Sequence, residues 1–324
     1  MSLLRVNYPC KADLSDSARY STMPRGRDRD GLRPSGSWLL AIAVSWCTLA
    51  GPSNAMGFNL IIAFDGGLTA SQQAVFTEAE NFWSSQINGY LPGIVQNSVV
   101  IQAKGMNIDG EGMIFGQAGP TQTTLQGGYR ITVSGRMFFD TADLANLEAT
   151  GRFGEVIEHE MGHVLGLGTL WTSNSVYSHG TGQYTGAKGL AAYRTEFNQP
   201  TATFIPVELG GAAGTSNAHW DEVDKDDVNG GNELTGITDP LGRDMRHELM
   251  TGWLNSPTFV SRMSVQSLGD IGFDVVPEPG SRALLIGALI LVWGSARQAC
   301  RSLVKRRNDQ SHADLRDSRR PKCC

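Results

Sequence analysis

The central part of this 324-residue sequence contains no cysteine. The five cysteines all lie towards the two ends, at Cys10, Cys47, Cys300, Cys323 and Cys324. Residues 56–277 therefore have no disulfide, no thiolate metal site and no cysteine nucleophile. An exported domain without disulfides fits a bacterial envelope better than a small secreted animal domain, which normally needs them for stability.

Basic residues are also scarce in the same region. Residues 56–277 contain 24 Asp and Glu but only 10 Lys and Arg, a net charge of −14 in a chain whose net charge is −5. This acidic balance excludes an ordinary nucleic-acid partner, because phosphate binding requires positive charge. No internal repeat or linker interrupts the region, so the sequence predicts a single domain over 56–276.

The first apolar run of the chain is too short for a comfortable membrane span. It covers 13 residues, 38–50, with basic residues before it and Ser53-Asn54-Ala55 after it. This three-part pattern is typical of a secretory signal peptide that signal peptidase removes. We predict a signal peptide over residues 1–55, with Met23 as an alternative start; the other interpretation is a buried core helix.

The second apolar run lies near the C-terminus. Pro277-Glu278-Pro279 is followed by the apolar stretch Ala283–Ala296 and then by a cluster of basic residues. This order resembles the PEP-CTERM sorting signal of Gram-negative bacteria, over residues 277–307. The resemblance implies a short transmembrane helix with a cytoplasmic basic end, processing by an exosortase-type transpeptidase, and release or attachment at the cell surface. A plain membrane anchor is the alternative, and residues 308–324 form a polar tail.

The domain between these ends begins with a strand and a helix. Asn59–Phe64 is short and β-branched and predicts a buried strand. Thr69 and Gln72 form a capping box that starts a helix. Apolar residues at helical spacing give this helix one buried face: Val75, Phe76, Ala79, Phe82 and Trp83. Further predictions are strands at Ser98–Ala103 and Tyr129–Val133 and an irregular glycine-rich stretch at Gly105–Gly128.

The most informative segment is the predicted helix Phe153–Leu167. His159 and His163 are four residues apart and therefore lie on one face of this helix, where two imidazoles can bind a single Zn²⁺. Glu160 lies between them, close enough to deprotonate a water that the metal activates. Gly166 most naturally ends the helix. The alternative is a pair of surface histidines beside a solvated glutamate.

A catalytic zinc needs a third protein ligand as well as one open position. The residues alone leave His179, His219, His247 and a carboxylate as candidates. His219 is followed by Trp220, a large apolar residue able to anchor its loop.

Four segments together resemble the leishmanolysin family of metzincin zinc peptidases: HEMGHVLGLG at 159–168, AHW at 218–220, ELMTG at 248–252 and SLGDIGF at 267–273. The resemblance implies an α+β metzincin-like fold, with a mixed sheet, an active-site helix and a smaller loop-rich C-terminal subdomain. It makes His219 the third ligand, Met250 the Met-turn methionine beneath the metal, and 264–273 the closing helix. At the shorter spacing of other metzincins the chain has Thr169. Leishmanolysins silence their zinc with a cysteine of the prosegment, and we expect no such switch here, because residues 56–277 contain no cysteine and almost no chain separates Ala55 from the first strand.

The expected function is a zinc-dependent endopeptidase, secreted or at the cell surface, that acts on proteins or peptides with Glu160 as general base. A non-catalytic zinc-containing surface or matrix protein is the main alternative, and a zinc hydrolase of non-peptide bonds is another. Between Asp221 and Glu248 lie nine acidic residues against three basic ones. Such a stretch would suit Ca²⁺, which prefers clustered oxygens, or would form a solvated acidic loop.

Overall fold

A computed structural model describes residues 2–5, 58–211, 213–222 and 234–277 of the chain. Its elements are β1 (Ser2–Arg5), β2 (Asn59–Phe64), α1 (Ala70–Gln86), β3 (Ile87–Tyr90), β4 (Ser98–Met106), β5 (Ile114–Gln126), β6 (Tyr129–Asp140), α2 (Leu144–Ala149), α3 (Phe153–Leu165), β7 (Gln183–Tyr184), α4 (Ala187–Glu196), β8 (Ile205–Pro206), α5 (Arg262–Gly269) and β9 (Phe273–Val275). The chain divides into two units, Met1–Val275 and Val276–Cys324, and these elements all belong to the first.

The predictions for the two ends fall almost entirely outside the described residues. The signal peptide over 1–55 overlaps them only at Ser2–Arg5, and the sorting signal over 277–307 only at Pro277. Among the helices that the structure does describe, none combines the length and apolar character needed to cross a membrane.

The main sheet has five strands in the order β1-β5-β6-β4-β2. Strands β2, β4 and β6 run parallel to one another. Strand β5 is antiparallel to β6, and β1 pairs antiparallel with the other edge of β5, with Leu4 opposite Gly116. The sheet is therefore mixed, and together with the helices it gives the α+β class that the sequence predicts.

Strand β4 alternates as a half-buried strand should, because Val99, Ile101 and Ala103 are fully buried and their neighbours face outwards. The prediction of a buried strand at Asn59–Phe64 is correct in position but wrong in burial. Only Leu60 in this strand is buried, and Ile61 is 43% exposed. The reason is its place at the edge of the sheet, where it has a single strand neighbour.

The prediction that Gly105–Gly128 is irregular is wrong for most of its length. The segment contains β5, a 13-residue strand paired with β6. Its glycines and polar residues have low intrinsic strand propensity, so pairing and tertiary context outweigh propensity here. The irregular part is confined to the β4–β5 loop, residues 107–113, and to the short turn between β5 and β6.

Two helices position the site against the sheet. Helix α1 begins with the predicted capping box of Thr69 and Gln72 and buries Phe76, Ala79 and Trp83. Helix α3 packs between α1 and the strands β5 and β6. The rings of Phe76, Phe139 and Phe153 meet edge to face in this core.

After α3 the described chain is mostly loops. Helices α4 and α5 pack on each other, and the short pairs β3–β9 and β7–β8 complete the region. The closing helix expected over 264–273 is shorter than predicted, because α5 ends at Gly269 and β9 begins at Phe273.

Candidate metal centre

Three histidine side chains converge in the interior of the protein. His159 and His163 lie on one face of α3, as their spacing predicts, and His219 reaches them from the loop-rich region. The Nε2 atoms are 2.8 Å apart for His163 and His159, 3.0 Å for His163 and His219, and 3.2 Å for His219 and His159. All three side chains are fully buried, and together they could bind one metal ion.

The other ring nitrogen of each histidine determines what Nε2 presents to the cluster. Each Nδ1 lies close to a backbone carbonyl oxygen: His159 to Leu249 at 2.6 Å, His163 to Leu167 at 2.9 Å, and His219 to Thr215 at 2.8 Å. A carbonyl oxygen can only accept, so in the neutral ring Nδ1 carries the proton and Nε2 presents a lone pair. Burial lowers the pKa of His159 and His163 and keeps them neutral. Lone pairs facing one another at these distances repel unless a cation lies between them.

The turn that follows α3 brings the third histidine to the helix. Gly166 ends α3 with φ of 120°, and Leu167 N–H donates to the carbonyl of Gly162. Gly168 has φ of +71°, and a Cβ atom there would lie 1.9 Å from the carbonyl oxygen of Ala218. Only glycine therefore permits this contact between the turn and the residue before His219.

Trp220 anchors the His219 loop, as the sequence predicts. Its ring is fully buried and stacks on Trp171, with centroids 4.4 Å apart and an interplanar angle of 30°. Tyr184 contacts it edge to face at 5.1 Å. Its Nε1–H donates to Ser264 Oγ at 2.8 Å, so the indole is satisfied as well as buried.

Met250 lies against helix α3. A Cβ atom at Gly162 would be 2.9 Å from Met250 Sδ, so the glycine between the two helical histidines makes room for this side chain. The preceding carbonyl, that of Leu249, is the partner of His159 Nδ1. One turn thus supplies both the methionine that packs against Gly162 and the carbonyl that orients the His159 ring.

Glu160 lies on α3 between the two histidines and is fully buried. Neither of its carboxylate oxygens has a hydrogen-bond partner among the residues that the structure describes. Burial raises the pKa of Glu160 well above its usual value. Strand β5 passes close to it, because a Cβ atom at Gly116 would lie 2.6 Å from Oε1. A buried carboxyl without a partner is costly, and a strongly shifted pKa at a buried position marks a candidate functional group.

Glu248 is a second buried carboxylate, and it is fully hydrogen-bonded. Its Oε2 accepts from Met250 N–H at 2.6 Å, and its Oε1 accepts from Ser261 N–H, Ser261 Oγ–H and Ser264 Oγ–H. Burial raises its pKa, while these hydrogen bonds oppose the rise. Because Ser264 also binds Trp220, Glu248 connects the Met250 turn, α5 and the His219 loop.

The remaining candidate ligands lie elsewhere. His179 is exposed, and His247 belongs to a single 3₁₀ turn, Met245–His247, outside the histidine cluster. Thr169, at the position of the third histidine in the shorter metzincin pattern, donates its hydroxyl to the carbonyl of His163. Of the three downstream histidines left open by the residues alone, His219 is the one in the cluster.

Part of the acidic stretch from Asp221 to Glu248 falls outside the described residues, so calcium binding there stays a prediction. Besides Glu248, two of its acids that the structure describes bond to neighbouring residues in the loop, namely Asp239 and Asp244. Asp244 accepts from the backbone N–H groups of Thr235, Gly236 and Arg246. Asp239 pairs with the guanidinium of Arg243.

Sequence reasoning misses three residues that shape this centre, namely Gly116, Gly168 and Glu248. Nothing local marks Gly116, because its contact with Glu160 depends on the packing of β5 on α3. Glu248 lies in the segment ELMTG, which contributes to the family resemblance, but nothing in that segment indicates its hydrogen bonds with Ser261 and Ser264, 13 and 16 residues further on.

Comparisons with models of protein families and with curated proteins find no match to this chain. The function is therefore inferred from the geometry and chemistry of the histidine cluster and its neighbours.

Proposed function

We propose that this protein is a zinc-dependent endopeptidase. The observation that carries the proposal is the convergence of three Nε2 lone pairs with Glu160, which is buried without a partner beside two of them. Three imidazoles with an open position form the ligand set of several catalytic zinc sites. In a tetrahedral site with Zn–N bonds of 2.0–2.1 Å the nitrogens lie about 3.3 Å apart. The separations of 2.8–3.2 Å therefore need to widen only slightly.

Each residue has a defined part in the proposed hydrolysis. Zinc would supply a Lewis acid that makes water nucleophilic at neutral pH and polarises the substrate carbonyl. His159, His163 and His219 hold their Nε2 atoms towards it, and their Nδ1 contacts to carbonyls fix the rings. Glu160 accepts the proton of the attacking water and donates it to the leaving amine. Its unpartnered oxygens are free to do both.

The side of β5 that faces away from β6 supports a peptide as the substrate. In the structure this edge pairs with an extended segment, β1, and the pairing places Leu4 opposite Gly116, beside Glu160. An edge strand that binds one extended backbone can bind another through the same main-chain groups. We propose that a substrate peptide lies antiparallel to β5 at this position.

The wider assignment is a leishmanolysin-like metzincin with Met250 as its Met-turn residue. The close contact of Met250 with Gly162 and the entry of His219 from a distant loop both support it. We further propose export, with signal peptidase and an exosortase-type transpeptidase acting on the two ends and a cell-surface or extracellular product.

The test is cleavage of casein and of a peptide library, with and without a chelator, by the zinc-loaded protein and by its Glu160→Gln variant. We expect the variant to keep about one zinc per chain and to lose activity by about 1,000-fold, because a positioned general base contributes on this scale. The substitution keeps the size of the side chain and removes its basicity.

Two results would redirect the proposal. Full activity in Glu160→Gln would exclude Glu160 as the base. Zinc binding without any hydrolysis by the wild type would favour the non-catalytic surface protein, although such a protein would gain nothing from Glu160.

A further inference from the structure

Four acidic residues surround the loop between β4 and β5, at the carboxyl ends of the parallel strands. Asp109 and Glu111 belong to this loop, while Asp140 ends β6 and Asp143 precedes α2. Asp140 Oδ2 accepts from the N–H groups of Ile108, Asp109 and Gly110 at 2.8–3.1 Å, and its Oδ1 accepts from Ala142 at 2.9 Å. These bonds hold the loop against the β6–α2 turn.

The second observation is a carboxylate oxygen that has no partner. Asp143 exposes 0% of its surface, and its Oδ1 accepts from Gly112 N–H at 2.7 Å. Its Oδ2 is buried and has no hydrogen-bond partner among the described residues. Leaving such an atom unpaired is unfavourable, and more so when the group is charged. A ligand at this oxygen would remove the cost.

The charges around Asp143 indicate the sign of that ligand. Burial raises the pKa of Asp143, and the hydrogen bond from Gly112 lowers it. The negative charges of Asp140, Asp109 and Glu111 raise it further. Within the part of the chain that the structure describes, none of these four acids forms an ion pair, and the pairs Arg152–Glu155 and Arg243–Asp239 involve other residues. Neither supplies a positive charge to the four acids, so the cluster keeps a strong local excess of negative charge.

We propose that these acids bind one Ca²⁺ ion, with Asp143 Oδ2 and the Asp109 carboxylate as protein ligands and Asp140 and Glu111 supplying further negative charge. Oxygen donors on a loop match Ca²⁺, which accepts irregular shells of six to eight oxygens. Mg²⁺ demands a near-octahedral shell, and Zn²⁺ prefers the imidazoles found at the histidine cluster. The two proposed sites therefore select different metals.

The position of the site gives it a consequence for the metal centre. The loop leads directly into β5, and Gly116, at the third position of that strand, touches Glu160. The turn on the other side leads through α2 into α3. Calcium would therefore fix the start of β5 relative to α3, and it would stabilise the fold in proportion to its occupancy.

The experiment titrates Ca²⁺ into the full zinc-loaded protein and records binding by calorimetry and the midpoint of thermal unfolding. We expect about one Ca²⁺ per chain and a midpoint about 5 °C higher when Ca²⁺ exceeds its dissociation constant about 100-fold. Asp143→Asn and Asp109→Asn should each weaken binding about tenfold or more while zinc content is unchanged. Asp274→Asn, which removes an exposed carboxylate on β9, is the matched control and should bind like the wild type.

Three outcomes would overturn the proposal. They are the absence of a saturable heat with Ca²⁺, equal binding by the wild type and both cluster variants, and an equal loss in the Asp274→Asn control. If Asp143→Asn fails to fold, Asp109→Asn still tests calcium binding, because Asp109 is exposed and its replacement should not disturb the fold.

Discussion

The two regions that meet at the proposed metal centre hold their histidines in different ways. From β2 to α3, His159 and His163 lie on a helix whose one face packs on a sheet, and regular backbone hydrogen bonds set their separation. After α3, His219 lies in a loop held by the Gly168 contact, the Trp171–Trp220 stack and the Glu248 network. A helix orients a pair of ligands by its periodicity, whereas a loop needs a separate contact for each degree of freedom. We therefore expect the position of His219 to be more easily disturbed by mutation than the positions of His159 and His163.

The largest effect should come from removing that ligand. His219→Ala should lose both zinc and activity, because two protein ligands bind zinc far more weakly than three. His247→Ala and His179→Ala should keep most of both, because neither side chain belongs to the cluster. Zinc content by mass spectrometry and peptide hydrolysis measure the outcome. Loss of zinc in His247→Ala with an active His219→Ala would reverse the assignment.

The second largest effect is expected at Gly168, whose close contact with Ala218 holds the His219 loop against the turn after α3. Gly168→Ala should destabilise the protein by about 3 kcal/mol and weaken zinc binding, because its Cβ would meet the Ala218 carbonyl and its φ is positive. Gly180→Ala is the matched control, since Gly180 also has positive φ but open space around it. Chemical denaturation of both variants separates the clash from the backbone strain. Equal losses would mean that the contact with Ala218 contributes nothing.

A smaller effect is expected from weakening the Glu248 network. Glu248→Gln places an amide NH₂ among groups that donate, so at least one N–H or O–H loses its acceptor, at a cost of about 1–3 kcal/mol. We expect zinc affinity to fall about 10- to 100-fold, as for other residues that orient ligands. Glu196→Gln is the control, because Glu196 accepts from Arg262 and Met263 at the start of α5 without touching the Met250 turn. Similar zinc affinities in the two variants would exclude a positioning role for Glu248.

The smallest effect is expected from Asp239, which pairs with Arg243 in the loop region after α4. Burial alone would raise the pKa of Asp239, but the N–H groups of Arg243 and Leu241 and the Arg243 guanidinium outweigh it and lower the pKa. A lowered folded-state pKa means that the contribution is complete above the usual value of 3.8 and is lost as pH falls through the folded-state value. Asp239→Asn should therefore cost about 1 kcal/mol at pH 7 and progressively less below pH 3.8. The measurement is the unfolding midpoint of the wild type and of Asp239→Asn at several pH values. A difference between the two proteins that does not change with pH would mean that the charge of Asp239 is irrelevant.

The same contrast between regions explains what the sequence can predict. The capping box at Thr69, the helix from Phe153 and the shared face of His159 and His163 depend on residues within a few turns, and local patterns specify them. Strand β5 escapes prediction because its residues have low strand propensity and depend on pairing with β6. The residues alone do not select His219, which is 56 positions from His163 and meets it only after folding. Gly168 likewise acts through a distant partner, Ala218, whereas the partners of Glu248 in α5 and its N-cap, Ser264 and Ser261, are only 16 and 13 positions away.

The Trp171–Trp220 stack gives the loop region an optical signature. Two indole rings with centroids 4.4 Å apart and planes inclined by 30° couple their electronic transitions, and such coupling produces a paired positive and negative band in the far-ultraviolet circular dichroism spectrum. The band vanishes when the rings separate, whatever the helix content. Because Trp220 directly follows His219, the amplitude of the band reports whether the loop that carries His219 is in its folded position. The rate at which that loop separates from the rest of the domain can then be measured independently of the unfolding of the sheet, in solution and without a label.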